Sequence, residues 1–144
     1  MNRIFLGGTC AGTNWRDELI ALLENCDVEW FNPIVEDWTP ECQANEESEK
    51  NNKCNVHLYV ITPEMQGVYS IAEIINSCWQ AQLYGPKVDK VAFFVLGDFG
   101  VKMRKSLEGT FRLCNQIAPF RCICAVAKNV EEIFETLKST GYVE

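Results

Sequence analysis

The sequence predicts one three-layer α/β/α domain spanning residues 1–144, built on a doubly wound parallel sheet of five strands. Short apolar runs alternate along the chain with segments whose apolar residues recur at helical spacing. One run within 88–96, VAFFVL, is almost wholly apolar, which is typical of a central parallel strand covered on both faces. A chain of 144 residues is long enough for one core, and we find neither an internal repeat nor a linker.

The first half of the chain supplies three of the strands. They are predicted at 3–7 (RIFLG), 28–32 (VEWFN) and 55–62 (NVHLYVIT), and a proline follows each of the last two. Between the first two strands, Thr13 or Asn14 caps a helix with four apolar residues at i, i+4, i+7 and i+8. Those residues are Trp15, Leu19, Leu22 and Leu23. The segment 34–54 is acidic and polar, so we expect a loop and then one solvated helix whose 41–49 part stays outside the core.

The second half continues the alternation with a long helix at 70–83 and the apolar strand within 88–96. Another helix follows, with Met103, Leu107, Phe111 and Cys114 on its apolar face. The last strand is predicted at 121–127 and the last helix at 130–139. Five strands alternating with five helices imply right-handed crossovers, and the resulting arrangement is flavodoxin-like.

Charge and hydropathy exclude several kinds of partner. The formal net charge of −7 disfavours nucleic acid or an anionic membrane surface, because both select clustered Lys and Arg. The apolar run at the N-terminus is too short for a signal peptide, and we find no window long enough to span a membrane. We therefore expect a cytoplasmic protein whose partner is a small molecule.

Eight cysteines are many for this length, yet no two of them form a Cys-x-x-Cys pair. A single histidine cannot complete the usual Cys/His zinc sets either. Several cysteines fall at apolar positions: Cys78 and Cys114 on helix faces, Cys122 and Cys124 in a strand. We interpret them as free thiols that act as small core hydrophobes and expect no metal, with a redox pair or a metal site as the alternatives.

Ligands of doubly wound sheets bind at the carboxyl ends of the strands, near the reversal of strand order. The loops that reach this edge are expected at 7–15, 32–40, 62–70 and 97–100. In the first loop, Gly7 and Gly8 permit close approach of a ligand to the backbone, or simply form a tight turn. Trp15 either stacks on a base or begins the apolar face of its helix.

The second loop places Asn32, Asp37 and the aromatic ring of Trp38 close together in the sequence. Carboxylate and amide groups can hydrogen-bond a nucleobase or sugar, and an aromatic ring can cover its flat face, so these three residues are candidate binding residues.

The third loop and the helix after it carry a second set of candidates: Gln66, Gly67, Ser70 and Glu73. Ser70 and Glu73 have the spacing of a capping box, in which each side chain bonds a backbone N–H of the other residue. The alternative is functional, because a carboxylate in the first turn of this helix can face the ligand crevice. The lone histidine, His57, is interpreted as a buried and hydrogen-bonded residue rather than a general base.

These motifs resemble those of the nucleoside 2-deoxyribosyltransferase family, in particular a short and divergent branch of it. The matching pieces are IFLGG in the first strand with Trp15 opening the next helix, Asn32 and its following proline, and GVYSIAE before the long helix. They cover residues 3–83 in the family's order. The last third matches only as general architecture.

The resemblance implies that Glu73 is the nucleophile of N-glycosidic bond cleavage. A carboxylate beneath C1′ collapses onto the oxocarbenium-like centre as a glycosyl ester, which a second base or water resolves. Asp37 is expected to assist departure of the base. The family also implies a nucleoside or nucleotide substrate, no cofactor and a dimer.

Three positions depart from the family's pattern. Phe5 stands where nucleoside-transferring members often carry a tyrosine that supports the nucleophile, and Asn55 where they tend to have an aspartate. Tyr69 replaces a common glycine. Two other functions therefore stay open: a non-catalytic nucleotide-binding or sensor domain, in which binding survives loss of Glu73, and an NAD glycohydrolase.

Overall fold

The computed structural model describes residues 1–83 and 87–144 and contains a five-stranded, all-parallel sheet. The strands are β1 (Asn2–Gly8), β2 (Val28–Phe31), β3 (Val56–Ile61), β4 (Lys90–Leu96) and β5 (Cys122–Ala127). The helices are α1 (Trp15–Leu23), α2 (Pro40–Asn52), α3 (Tyr69–Leu83), α4 (Val101–Ile117) and α5 (Val130–Ser139). The strands and helices whose bounds the sequence predicts lie within about two residues of those bounds. The apolar residues whose spacing predicts an element are also the residues that the core buries.

The sheet has the strand order β2-β1-β3-β4-β5, which confirms the predicted flavodoxin-like, doubly wound fold. The order reverses at β1, since the chain first crosses to β2 and then returns to the other side of β1 as β3. Ile4 pairs with Trp30 of β2 on one side and with Val56 of β3 on the other. A doubly wound sheet opens its ligand crevice at this reversal, beyond the carboxyl ends of β1 and β3.

Two apolar layers cover the sheet, and successive residues of one strand enter different layers. Ile4 and Leu6 pack with α1 and α5, whereas Phe5 packs with the layer beneath α3 and α4. Of the central strands, β3 is buried along its whole length and β4 is buried except at its two end residues, as the apolar run of β4 predicts.

The acidic segment forms the predicted helix, but one end of it is not solvated. Thr39 caps α2 through its hydroxyl, which accepts from the Cys42 N–H at 3.2 Å. Glu49 and Lys50, in the last turn, are buried. The expectation of a helix wholly outside the core is therefore wrong for this turn, because ion pairs neutralise the charges of both residues.

All eight cysteines are free thiols, and three of the four that lie in predicted core positions are fully buried or nearly so. Over the described ranges, no helix combines the length and the apolar character that a membrane crossing requires.

Candidate active site

A cavity of about 510 Å³ lies at the carboxyl end of β1, between α2 and the start of α3. Its floor is formed by Phe5 and by the glycines that end the strand, and the segment 33–38 covers one side. The described residues that line it are Phe5, Gly7, Gly8, Cys10, Arg16, Pro33, Ile34, Val35, Trp38, Gln43, Glu46, Glu47, Lys50, Tyr69, Ser70 and Glu73. A volume of this size is typical of sites for small molecules such as nucleosides.

Glu73 projects into this cavity and forms an ion pair with Lys50. The Nζ atom of Lys50 lies 2.6 Å from Oε2 of Glu73, and both side chains are about nine-tenths buried, with 9% and 11% exposed. A charge-assisted hydrogen bond of this length in a poorly solvated site is strong and holds the carboxylate in one orientation. The capping box does not form, because Ser70 lies inside α3 and the Glu73 carboxylate bonds Lys50 instead.

A chain of buried hydrogen bonds fixes the α2 backbone that carries Lys50. His57 Nε2 lies 2.7 Å from the Lys50 carbonyl oxygen, and His57 Nδ1 lies 2.8 Å from Ser77 Oγ. Because a carbonyl only accepts, Nε2 carries the proton and Nδ1 accepts from the Ser77 hydroxyl. The Tyr59 hydroxyl lies 2.8 Å from the same Ser77 oxygen, so the network joins α2, β3 and α3 beneath the site.

The same burial keeps the two ring systems of this network uncharged. It lowers the pKa of His57 to about 4, with the positive charge of Lys50 acting in the same direction. Burial also raises the pKa of Tyr59 well above its ordinary value, and the negative charge of Glu73 adds to this effect. His57 is therefore the buried, satisfied histidine that its apolar strand predicts.

Glu46 is the second carboxyl group in the cavity near Glu73. Burial raises the pKa of Glu46, and the negative charge of Glu73 raises it further. It lies one helical turn before Lys50 on α2, so the two side chains project from the same face of that helix. The cavity thus combines one carboxylate held by a lysine with a second carboxyl group whose pKa is raised by burial.

The glycines of the first loop are required by the fold itself. A Cβ atom at Gly7 would lie 2.7 Å from the Tyr59 ring, and one at Gly8 would lie 2.1 Å from the Val60 carbonyl oxygen. Gly8 also has a φ of 114°, in the region that other residues rarely adopt. The expectation of a tight turn at this pair is wrong, because both glycines are the last residues of β1, packed against β3. Both also line the cavity, and the close approach of a ligand to their backbone stays a prediction.

Arg16 is a buried cation at the same end of β1. Its guanidinium donates to the carbonyl oxygens of Leu6 (2.8 Å), Gly8 (3.2 Å) and Thr9 (2.6 Å). Burial lowers its pKa. These bonds satisfy carbonyls that the turn leaves without strand partners, so we assign Arg16 to the support of the loop.

The structure brings together Gly7, Gly8, Trp38, Ser70 and Glu73, five of the residues predicted for the site. Gln66 and Gly67 line an adjoining depression of about 240 Å³ instead. That depression shares Gly8, Cys10, Tyr69 and Ser70 with the main cavity.

Four other predicted site residues lie outside the residues that line the cavity. Trp15 is buried in the core, and its Nε1 donates to the Thr9 carbonyl at 3.0 Å. Asn32 accepts from the Ile34 N–H, and Asp37 is exposed. Asn55 precedes β3 at the opposite edge of the sheet, where it accepts from the Arg3 N–H at 2.8 Å. Asn55 is therefore too far from the cavity for its lack of a carboxylate to change the charge of the lining.

Fold and site together define an α/β protein with a small-molecule cavity at the strand-order reversal and a buried, lysine-paired glutamate at its wall. Residues 1–96 match a protein-family profile described as nucleoside 2-deoxyribosyltransferase like. The chain belongs to this family, and the matched region contains every residue that lines the cavity. No curated protein and no solved structure matches the chain.

Proposed function

We propose that this protein cleaves the N-glycosidic bond of a deoxynucleoside, with Glu73 as the nucleophile. The observation that carries the proposal is the Glu73 carboxylate, which lies in the cavity wall 2.6 Å from the Lys50 ammonium. The ion pair holds the carboxylate in a fixed position in the cavity wall, and a carboxylate is the form of this side chain that attacks carbon. Membership of the family supports the same residue, because the motif GVYSIAE falls within the matched region.

Lys50 takes the place of the supporting tyrosine that the family's pattern leads one to expect in the first strand. Phe5 occupies that position and has no hydroxyl to offer, but the Lys50 Nζ lies 5.5 Å above its ring and reaches Glu73 directly. A cation over an aromatic face is itself favourable, so Phe5 and Lys50 support each other.

In the first step the Oε1 atom of Glu73 bonds to C1′ while the C1′–N bond breaks and its electron pair goes to the base. Glu46 is the group we assign as the proton donor to that base, since it lies in the same cavity and burial raises its pKa, the direction that a general acid requires. Asp37 has the less suitable position, because it is exposed and outside the cavity lining. Attack on the ester by a second base gives transfer, and attack by water gives hydrolysis.

The charges of the cavity favour a substrate without a 5′-phosphate. Three carboxyl side chains, Glu46, Glu47 and Glu73, are among the described residues that line it. Both basic residues of that lining are already engaged, Lys50 with Glu73 and Arg16 with backbone carbonyls. A phosphate dianion would therefore find no unengaged basic side chain among the described residues that line the cavity.

A panel of substrates tests the proposal, with base release from deoxynucleosides, deoxynucleotides and NAD measured side by side. We expect the wild type to act on deoxynucleosides, and Glu73→Gln to lose roughly three or more orders of magnitude in rate. Glu47→Gln is the matched control, because it removes a carboxylate from the same lining and should leave turnover within about threefold. A 2-fluoro-2-deoxynucleoside should add a glycosyl mass to the peptide that holds Glu73.

Two results would contradict the proposal. Ligand binding without base release, unchanged in Glu73→Gln, would identify a non-catalytic nucleotide-binding domain. Release from NAD alone would identify a glycohydrolase of that dinucleotide. Because the neutral amide leaves Lys50 without its countercharge, Glu73→Gln should also lower the free energy of unfolding by about 1–3 kcal/mol, so its folding has to be checked by circular dichroism.

A further inference from the structure

Four cysteine thiols from three elements meet on the far side of α3 from the active site. Cys78 lies on α3, Cys114 on α4, and Cys122 and Cys124 on β5. The sulfur atoms of Cys78 and Cys122 are 3.8 Å apart, and those of Cys122 and Cys124 are 3.7 Å apart. The sulfur atoms of Cys78, Cys114 and Cys122 all lie within 4.8 Å of one another.

We propose that these four thiols form a structural zinc site. In a tetrahedral site with Zn–S bonds of about 2.3 Å, neighbouring sulfur atoms are separated by about 3.8 Å. Two of the sulfur–sulfur distances in the cluster already have this value. Small rotamer changes of Cys114 and Cys124 would bring the remaining sulfur atoms to the same separation around one central ion.

The composition of the cluster favours zinc over harder cations. Thiolates are soft ligands that select Zn²⁺ or similar metals, whereas Mg²⁺ and Ca²⁺ require oxygen. In the part of the chain that the structure describes, this is the group of three or more Cys, His, Asp or Glu side chains whose ligand atoms lie close enough for one ion. Binding is balanced by the release of four thiol protons to solvent as the four Zn–S bonds form.

The burial of the four residues is that expected of a structural metal site which an ion can still reach from solvent. Cys78 and Cys114 are fully buried and Cys122 is 7% exposed, so all three lie away from water. Cys124 is half-buried at the outer side of the cluster and would be the last ligand to close. The sequence gives no sign of such a site because its ligands come from α3, α4 and β5 and form no Cys-x-x-Cys pair.

Metal analysis of the whole protein, purified without chelator from zinc-supplemented cells, tests the proposal. We expect about one zinc per chain, since a four-thiolate site closes around a single ion. After removal of zinc, Co²⁺ should give the intense thiolate-to-cobalt charge-transfer band and the visible bands of a tetrahedral sulfur site. Cys124→Ser should weaken zinc affinity by more than about 100-fold, since even changes outside the ligand set cost about 10–100-fold.

Cys54→Ser is the control, because Cys54 is buried like Cys78, Cys114 and Cys122 but lies outside the cluster. It should retain the metal and the cobalt spectrum. Absence of both zinc and a cobalt spectrum in the wild type would overturn the proposal, and so would a disulfide between two of the four cysteines, seen as a loss of two mass units. These wild-type measurements keep the proposal testable even if a cysteine variant fails to fold.

Discussion

His57 makes the stability of the protein dependent on pH. Its pKa falls from 6.5 to about 4 in the folded chain, chiefly through burial. As the pH falls through this range, the unfolded chain takes up a proton that the folded chain does not bind. The free energy of unfolding therefore decreases from about pH 6.5 downward and levels off below about pH 4, with a full loss of about 3 kcal/mol from this residue.

Urea unfolding at several pH values between 7 and 4 measures this dependence. His57→Gln is the control, because its amide can still donate to the Lys50 carbonyl and accept from Ser77 but does not titrate. The carboxyl groups titrate in both proteins, so the difference between the two curves isolates the histidine. Parallel curves would show that His57 titrates in the folded chain as it does in the unfolded chain.

The sequence predicts one half of the Glu73–Lys50 pair and not the other. Glu73 stands at the start of a helix that follows a buried strand, a position that the topology directs toward the crevice. Lys50 stands 23 residues earlier in an acidic segment, where a lysine is expected to be exposed to solvent. Only the packing of α2 against α3 makes it a partner, and no pattern within either segment encodes that contact.

At the scale of elements, the end of β1 depends on Gly8. Alanine there would need a strained φ, and its Cβ would overlap the Val60 backbone of the neighbouring strand. Backbone atoms within a sheet cannot move aside as a flexible side chain can. We expect Gly8→Ala to lower the free energy of unfolding by about 3 kcal/mol or more.

Gly12→Ala separates the cost of the backbone conformation from the cost of the overlap with β3. The free energy of unfolding of both variants is measured by denaturant unfolding. Gly12 also has a positive φ, of 77°, but a Cβ there meets only the Glu64 side chain at ordinary contact distance. Its substitution should therefore cost only about 1 kcal/mol, the cost of the backbone conformation. Equal losses in the two variants would show that overlap with β3 contributes nothing.

The helices and strands are predictable because the apolar residues whose spacing indicates each element are the same residues that the core buries. The strand within 88–96 and the helix at 130–139 are two such segments, and the structure contains both. The tail of α2 is different, because ion pairs rather than apolar residues bury it. Trp15 shows a second limit of prediction from sequence. An aromatic ring beside a glycine-rich loop can contact a ligand or pack in the core, and only the packing of the whole chain places this ring in the core.

At the scale of the whole molecule, the fold that carries the candidate active site is stabilised by a part of the chain that contributes no residue to the cavity. The family match ends at residue 96, yet α5 packs against α1 beneath the sheet. Leu137 is fully buried in this layer with Leu19 and Leu23. We expect Leu137→Ala to lower the free energy of unfolding by about 3 kcal/mol through the cavity it leaves, with KM unchanged.

Thermal unfolding and substrate saturation curves on the same preparation check this separation. Glu135→Ala is the control on the same helix, because Glu135 is exposed. It should change stability by no more than about 0.5 kcal/mol. A large rise in KM for Leu137→Ala would show that the C-terminal layer shapes the cavity.

The dimer that we expect from the sequence stays a prediction. Sedimentation velocity, which measures the mass of the protein in solution, tests it.

The position of β1 between β2 and β3 also governs how the chain can fold during synthesis. β1 is synthesised first, but one of its edges pairs with β3, which is synthesised much later. The hydrogen bond that the Arg3 N–H donates to the Asn55 side chain, for example, joins residues 52 positions apart. Contacts so distant in sequence form slowly, because a long loop must close before they are made. Until β3 leaves the ribosome, the apolar edge of β1 stays open, which makes it the aggregation-prone stretch of the nascent chain.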